Sequence, residues 1–327
     1  MMSKEVMAVK KSDIFLALDR CLKNGIPHKY HHFLTPVRKK IAPYFAKRLS
    51  SIWCVTWQCN FACPYCWQLE DPHAYRINNT IAYDEWLHVW KGISQQFAEI
   101  TIAITGGEPF LFKDFIKLLA GLPDNTRYDV TSNLSLVDVN EFLSHEKIRR
   151  QCSGISCSFH PSNASNSANY IDVFFEKVQK LTVLPGTKVN FVPAASNLKF
   201  YKTLKEFCDT KRIPLHVKKH IVLNKPLDYA EEEERIAHDI KSSGSSLVDK
   251  ANMRDSVSCC AGFSHLALSP NADVWPCYTK AALREDYLGN ALSKEFRANA
   301  RYRNCSFYPS CWAVDYHNVR VTKKKMH

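Results

Sequence analysis

The chain reads as an α/β protein built on a parallel sheet. Two observations carry that expectation: short strand-like runs alternate with amphipathic helical stretches from residue 51 to about 225, and the sharpest polar motifs fall where strands end. Ile52, Cys54 and Thr56 begin a first strand that runs into a cysteine-rich loop. Trp86, Val89, Trp90, Ile93 and Phe97 then recur at helical spacing. Glu99 to Thr105 reads as a strand ending in Gly106-Gly107, and Phe115 to Leu122 as a short helix. Arg127 to Thr131 is a strand closing at Ser132-Asn133, followed by a helix from Val137 to Ile148. Gly154 to Phe159 is a strand ending at His160-Pro161; Tyr170, Phe174, Val178 and Leu181 mark the next helix. Lys188 to Val192 gives a fifth strand, Phe200, Leu204 and Phe207 a helix, and Leu215 to Val222 a sixth strand. Six such units in series imply right-handed crossovers and too few strands to close an eight-stranded barrel. In sheets of this kind ligands lie at the C-terminal ends of the strands.

Three divisions are expected: an N-terminal helical extension over 1–50, a strand-helix domain over 51–240, and a cysteine-rich extension over 241–327. Ile14, Phe15, Leu18, Cys21 and Leu22 have helical spacing, and a basic helical segment is expected from Val37 to Arg48. His28, His31 and His32 lack an accompanying carboxylate or cysteine, so a surface role is favoured over metal binding. Asp228 to Ile240 is an acidic helical stretch, and Lys241 to Ser246 a flexible break.

With 327 residues and a hydrophobic fraction of 46%, the chain can bury a sizeable core. No run approaches the roughly 18 apolar residues of a membrane helix, and no secretory signal pattern opens the chain, so a cytoplasmic location is expected. Thirteen cysteines in that compartment point to metal or redox chemistry rather than disulfides. The net charge of +12 is concentrated in Lys211 to Lys225 and in Arg297 to Lys325, and a solvated basic face is the simplest reading.

The most specific signal is Cys59-x3-Cys63-x2-Cys66, with Tyr65 just before the last cysteine. Three thiolates on one short loop can hold three corners of a cubane iron–sulfur cluster and leave one iron open, where an electron-carrying cluster takes four cysteines. A structural zinc site is the competing reading, but zinc knuckles pair two C-x2-C units and no second unit occurs.

At these residues the chain resembles the radical S-adenosylmethionine superfamily. The resemblance implies a partial (β/α)6 TIM-like barrel, with a [4Fe-4S] cluster on Cys59, Cys63 and Cys66 and S-adenosylmethionine on the open iron. Reductive cleavage of that cofactor would yield a radical that takes a hydrogen atom from an unactivated C–H bond. Gly106, Gly107, Glu108 and Pro109 resemble the motif that holds the methionine amino group, and Tyr65 the aromatic beside the adenine. Ser132 and Asn133 resemble the pair binding the methionine carboxylate or ribose. Ser158 and His160 stand where relatives carry a serine and an acid for the ribose hydroxyls, and Val192 is a candidate for the adenine pocket. Farther on, Cys259-Cys260-Ala261-Gly262, Trp275-Pro276-Cys277 and Cys305-x5-Cys311 resemble the SPASM/Twitch extension. Cys259, Cys277, Cys305 and Cys311 would ligate one auxiliary [4Fe-4S] cluster, with Cys260 an alternative to Cys259 and Ala272 replacing a customary glycine.

Lys218 and His220 at the end of the sixth strand are candidates for a base, and Cys260 or Cys157 for a hydrogen-atom donor. The expected reaction is dehydrogenation or epimerisation of a sugar, aminocyclitol or similar metabolite. An electron donor such as flavodoxin or ferredoxin would serve it. A peptide maturase is the second reading, and a zinc-containing nucleic-acid-binding module the alternative of another class.

Overall fold

The structure, a computed structural model, describes residues 48–66, 68, 81–161, 169–217, 221–222, 225–226, 257–259, 261–293, 295–296, 303–305 and 321–323. The expected N-terminal helices before Arg48, the acidic helix at 228–240, Lys218, His220, Cys260 and Cys311 lie outside these residues. Arg48 itself opens a strand rather than closing a helix.

The parallel strands are β1 (Arg48–Thr56), β2 (Glu99–Gly106), β3 (Thr126–Ser132), β4 (Cys152–Phe159), β5 (Lys188–Phe191) and β6 (Leu215–Val217). Between them run α1 (Tyr83–Ser94), α2 (Phe115–Gly121), α3 (Val139–Ser144), α4 (Glu146–Gln151), α5 (Tyr170–Leu181), the single turn α6 (Ala195–Leu198) and α7 (Tyr201–Lys211). The expected helix from Val137 to Ile148 is thus two helices, broken where His145 takes an extended backbone. Asp138 starts the first by accepting from the amides of Asn140 and Glu141 at 2.9 and 3.0 Å. Of the expected sixth strand, Leu215–Val217 are described as β6. Ile221–Val222 (β7) pairs antiparallel with Lys225–Pro226 (β8) in a separate two-stranded sheet.

The C-terminal region contributes β9 (Val257–Cys259), β10 (His265–Leu268), β11 (Asp273–Trp275), the helix α8 (Tyr278–Leu283), β12 (Gly289–Asn290), β13 (Arg303–Cys305) and β14 (Val321–Lys323). Here β10 pairs parallel with β1, and β11 runs antiparallel to both β10 and β12. One open nine-stranded sheet results, in the order β12-β11-β10-β1-β2-β3-β4-β5-β6. A small sheet β13-β9-β14 stands apart.

Period-two alternation divides the main sheet into two unlike faces. One face carries Trp53, Val55, Ile100, Ile102, Ile104, Tyr128, Val130, Ile155, Cys157, Phe159, Val189 and Phe191, and the helices cover it in one core. Trp53 sits against Trp86 and Trp90 of α1, with ring centroids 4.9 and 5.2 Å apart. The opposite face splits. Over β10 and β1 it is largely apolar: Ile52, Cys54 and Ala267 pack with Trp57, with Ala103 of β2 and with Tyr278 of α8. Over β3, β4, β5 and β6 it is polar, presenting Asp129, Thr131, Ser156, Ser158, Lys188, Asn190 and His216. Cys157 belongs to the helix-covered face and is fully buried, so it does not face the polar side as a hydrogen donor would need to. Among the described residues no helix is long and apolar enough to cross a membrane.

Candidate functional site

The loop that leaves β1 carries Cys59 exposed, Cys66 half-buried and Cys63 buried. The Cys66 amide donates to the Cys63 carbonyl at 2.9 Å, which folds these two cysteines into one turn. Asn60 fixes the loop to the end of β3. Its Nδ2 donates to Ser135 Oγ at 2.8 Å and its Oδ1 accepts from Asn133 Nδ2 at 3.0 Å. Burial first, then the neighbouring Cys66 thiol, pushes Cys63 up to about 12, and burial likewise raises Cys59. Cys59 and Cys63 are therefore held as thiols, and taking up a metal there means releasing protons.

The end of β2 crosses directly beneath this loop. The Gly107 amide donates to Thr56 O at 2.7 Å, and the Glu108 amide to Gln58 O at 2.8 Å. A Cβ on Gly106 would stand 2.2 Å from Thr56 O, and one on Gly107 would stand 2.0 Å from Gln58 O. Gly106 also has φ +132°. The two glycines are required by the close passage of one backbone over another, before any ligand is considered.

Glu108 is buried and engages both carboxylate oxygens with protein donors. Oε1 accepts from Ser132 Oγ at 2.8 Å and from the Phe110 amide at 3.2 Å; Oε2 accepts from the Asn133 amide at 2.8 Å. Burial pushes its carboxyl above the usual carboxylate range, against the pull of these donors. Glu108, Ser132 and Asn133 thus form one bracket joining β2 to β3, and Pro109 is buried as the first residue of a single 3-10 turn.

Across the site, the Tyr65 hydroxyl lies 2.9 Å from His160 Nδ1 at the end of β4. Asn197 of α6 donates from Nδ2 to the same hydroxyl at 2.8 Å and to Val192 O at 3.0 Å. Asn197 is fully buried, and its Oδ1 has no partner among the described residues. Burial pushes His160 down to about 4, so its imidazole is neutral near pH 7. Phe61 stands edge-on to His160 and to Tyr170.

The structure therefore brings Cys59, Cys63, Cys66, Tyr65, Gly106 to Pro109, Ser132, Asn133, Ser158, His160 and Val192 to the C-terminal ends of β1 to β5. Sequence reasoning did not single out Asn60, Ser135, Asn190 or Asn197. Asn60 had one faint signal, its place directly after Cys59; the others had none.

Of the second cysteine group, Cys259 is buried at the end of β9 and Cys277 is half-buried at the start of α8, where its Sγ accepts from the Lys280 amide at 3.5 Å. Cys305 pairs in register with Val257, two residues before Cys259, so the two cysteines lie on adjacent strands. Ala272 takes φ +62° in the turn between β10 and β11, a left-handed position that favours the glycine it replaces.

Among the described residues no three His, Cys, Asp or Glu side chains converge to hold a single metal ion. A cubane asks less convergence, because each thiolate meets a different iron. The donor set fits it: three thiols on one loop, close enough to raise one another's proton affinity, at the open end of the sheet.

The fold is similar to that of solved structures with S-adenosylmethionine bound. SuiB from Streptococcus suis with S-adenosylmethionine bound matches with a TM-score of 0.54 at 15% identity, over 87% of this chain and 74% of SuiB. SuiB bound to its precursor peptide SuiA matches at 0.55 and 14%, over 89% and 77% of the two chains. The protein anSMEcpe, with AdoMet and the Cp18Cys peptide, matches at 0.50 and 16%, over 75% and 78%. A Selenomonas ruminantium protein named S-adenosylmethionine-dependent nucleotide dehydratase is 28% identical over 94 residues. That stretch spans 29% of this chain and 31% of the relative. No protein-family model matches the chain.

Proposed function

We propose that this chain is a radical S-adenosylmethionine enzyme that abstracts a hydrogen atom from a small-molecule substrate, leading to dehydrogenation or epimerisation. One observation carries the reading: the loop of Cys59, Cys63 and Cys66 is pinned over the strand ends by Asn60 to Asn133 and by Gly107 to Thr56. A [4Fe-4S] cluster on these thiolates, with S-adenosylmethionine at its open iron, would supply reductive C–S cleavage and a hydrogen-abstracting radical.

The chain's own part is positioning and exclusion of water. Glu108 ties the ends of β2 and β3 together, so the ligand-facing edge of the loop cannot drift from Asn133. Tyr65, held by His160 and Asn197, fixes the other flank. The helix-covered face is sealed by the core, so a substrate would approach from the polar face of β3 to β6. Cys259, Cys277, Cys305 and Cys311 would hold one auxiliary [4Fe-4S] cluster, supported by the adjacent-strand placement of Cys259 and Cys305. Flavodoxin or ferredoxin would deliver the electron. Lys218, His220 and Cys260 stay as proposed catalytic groups for the substrate radical.

A second reading, maturation of a ribosomally made peptide, is favoured by the peptide-bound structures of SuiB and anSMEcpe. The test is anaerobic reconstitution followed by addition of dithionite and S-adenosylmethionine. The expected result is brown protein with about eight irons per chain, if both sites hold cubanes, and 5′-deoxyadenosine as product. Replacing Cys59, Cys63 and Cys66 together by Ala abolishes that product; its persistence in the triple variant overturns the assignment.

A further inference from the structure

We propose that Lys177 of α5 is a positioning residue for the cysteine loop. Its ammonium fixes the turn after β3, and that turn holds the side chain of Asn60, the residue next to Cys59. The inference rests on the functional reading above and gives the cysteine loop a support on a distant helix.

The turn runs from Ser132 to Ser135. Ser132 Oγ accepts from the Leu134 amide at 3.0 Å. Asn133 Oδ1 accepts from the Ser135 amide at 2.9 Å and from Ser135 Oγ at 2.5 Å. Asn60 closes a ring on these groups. Its Nδ2 donates to Ser135 Oγ at 2.8 Å, and its Oδ1 accepts from Asn133 Nδ2 at 3.0 Å. Both ends of the Asn60 amide are thus held by one turn. Each bond in such a ring polarises the next, which couples the members to one another.

The ring is only as fixed as the backbone that carries it. Leu134 has φ +61°, a left-handed position that a branched side chain rarely takes. Such a conformation persists where its surroundings over-determine it. Two groups do so here. The Leu134 side chain is buried in the helix-covered core. Lys177 Nζ donates to Leu134 O at 2.8 Å and to Ser135 O at 3.3 Å. The Val137 amide also reaches Leu134 O, at 3.4 Å, so the ammonium makes the shorter bond. A hydrogen bond from an ionised donor is roughly twice as strong as a neutral one.

The helix that carries Lys177 is itself anchored. Phe174, Val178 and Leu181 seat α5 in the core. Lys177 is half-buried on it, whereas Lys180, one turn on, lies on the exposed side and pairs with Glu176 at 2.8 Å. A continuous set of hydrogen bonds therefore runs from α5 through Leu134 and Ser135 to Asn60, and Asn60 is bonded in sequence to Cys59.

The experiment compares amide hydrogen exchange in the reconstituted full chain for wild type, Lys177→Met, Lys177→Arg and Lys180→Met, each alone and with Asn60→Ala. Lys177→Met is expected to speed exchange roughly tenfold in the turn at 133–137 and in the cysteine loop at 59–66. Lys177→Arg, which keeps donors for both carbonyls, and Lys180→Met stay close to wild type. With Asn60→Ala the loop is already fast, and Lys177→Met adds nothing to it. The EPR signal that responds to S-adenosylmethionine is lost to the chelator bipyridyl about threefold to tenfold faster in Lys177→Met. Unchanged exchange in the loop, an effect that adds fully to that of Asn60→Ala, an Arg variant as fast as the Met variant, or Lys180→Met matching Lys177→Met overturns the proposal. If wild type forms no signal that responds to S-adenosylmethionine, the radical reading falls, and exchange in the metal-free full chain decides the role of Lys177. If the signal forms and the exchange pattern fails, only the role of Lys177 falls.

Discussion

The Tyr65 hydroxyl and Nδ1 of His160 are 2.9 Å apart, and through this contact the cysteine loop rests on the end of β4. Asn197 donates to the same oxygen, so three separate segments meet at one atom. The imidazole is neutral because burial, not a neighbouring charge, sets its proton affinity.

The His160 environment predicts an acid-sensitive fold. A group whose folded pKa lies below its unfolded value contributes stability above the unfolded value and loses it as pH falls. For His160 the window runs from 6.5 down to about 4, and the full effect is about 3 kcal/mol. Urea unfolding at intervals across this window should show wild type losing more stability than His160→Gln. Parallel curves for the two proteins would contradict the assignment.

Glu108→Ala is expected to destabilise the fold by about 3 kcal/mol, since it strands the Ser132 hydroxyl and the amides of Phe110 and Asn133. Glu108→Gln keeps an acceptor and should cost less. The midpoint of chemical unfolding reads both.

Gly107→Ala places a Cβ against the Gln58 carbonyl, where neither backbone has a flexible end to yield. The expected outcome is a loss of at least about 2 kcal/mol and, on reconstitution, markedly less iron at the N-terminal loop. Thermal melting and iron analysis measure the two effects; an unchanged variant would mean the crossing is looser than described.

Trp53→Ala removes a fully buried ring lodged against Trp86 and Trp90. A cost of about 3–5 kcal/mol is expected, visible as a lower denaturant midpoint with little change in slope.

Much of this arrangement was legible in the sequence because hydrophobic period is local. The stripe Trp86, Val89, Trp90 and Ile93 marks α1, and the motif residues of β1 to β4 fall at strand ends as the alternation implies. The parallel docking of β10 on β1 was not legible. Its four residues, His265 to Leu268, carry no period that separates strand from helix, and the pairing spans more than two hundred residues. The break at His145 was missed because the hydrophobic period continues through it. Cys157 lies buried between Ile155 and Phe159 on the helix-covered face, the small buried residue that the sequence favours over its alternative as a hydrogen donor. Asn60 and Asn197 act through partners distant in sequence, Asn133 and Tyr65, so nothing near them in the chain announces their role.

Strand β1 is hydrogen-bonded on both edges, to β2 along nearly its whole length and to β10 along its middle. Its amides should therefore be among the slowest in the molecule to exchange with deuterated solvent. A chemically demanding loop is rooted in the keystone of the sheet. Fraying at the outer strands can proceed without unseating it.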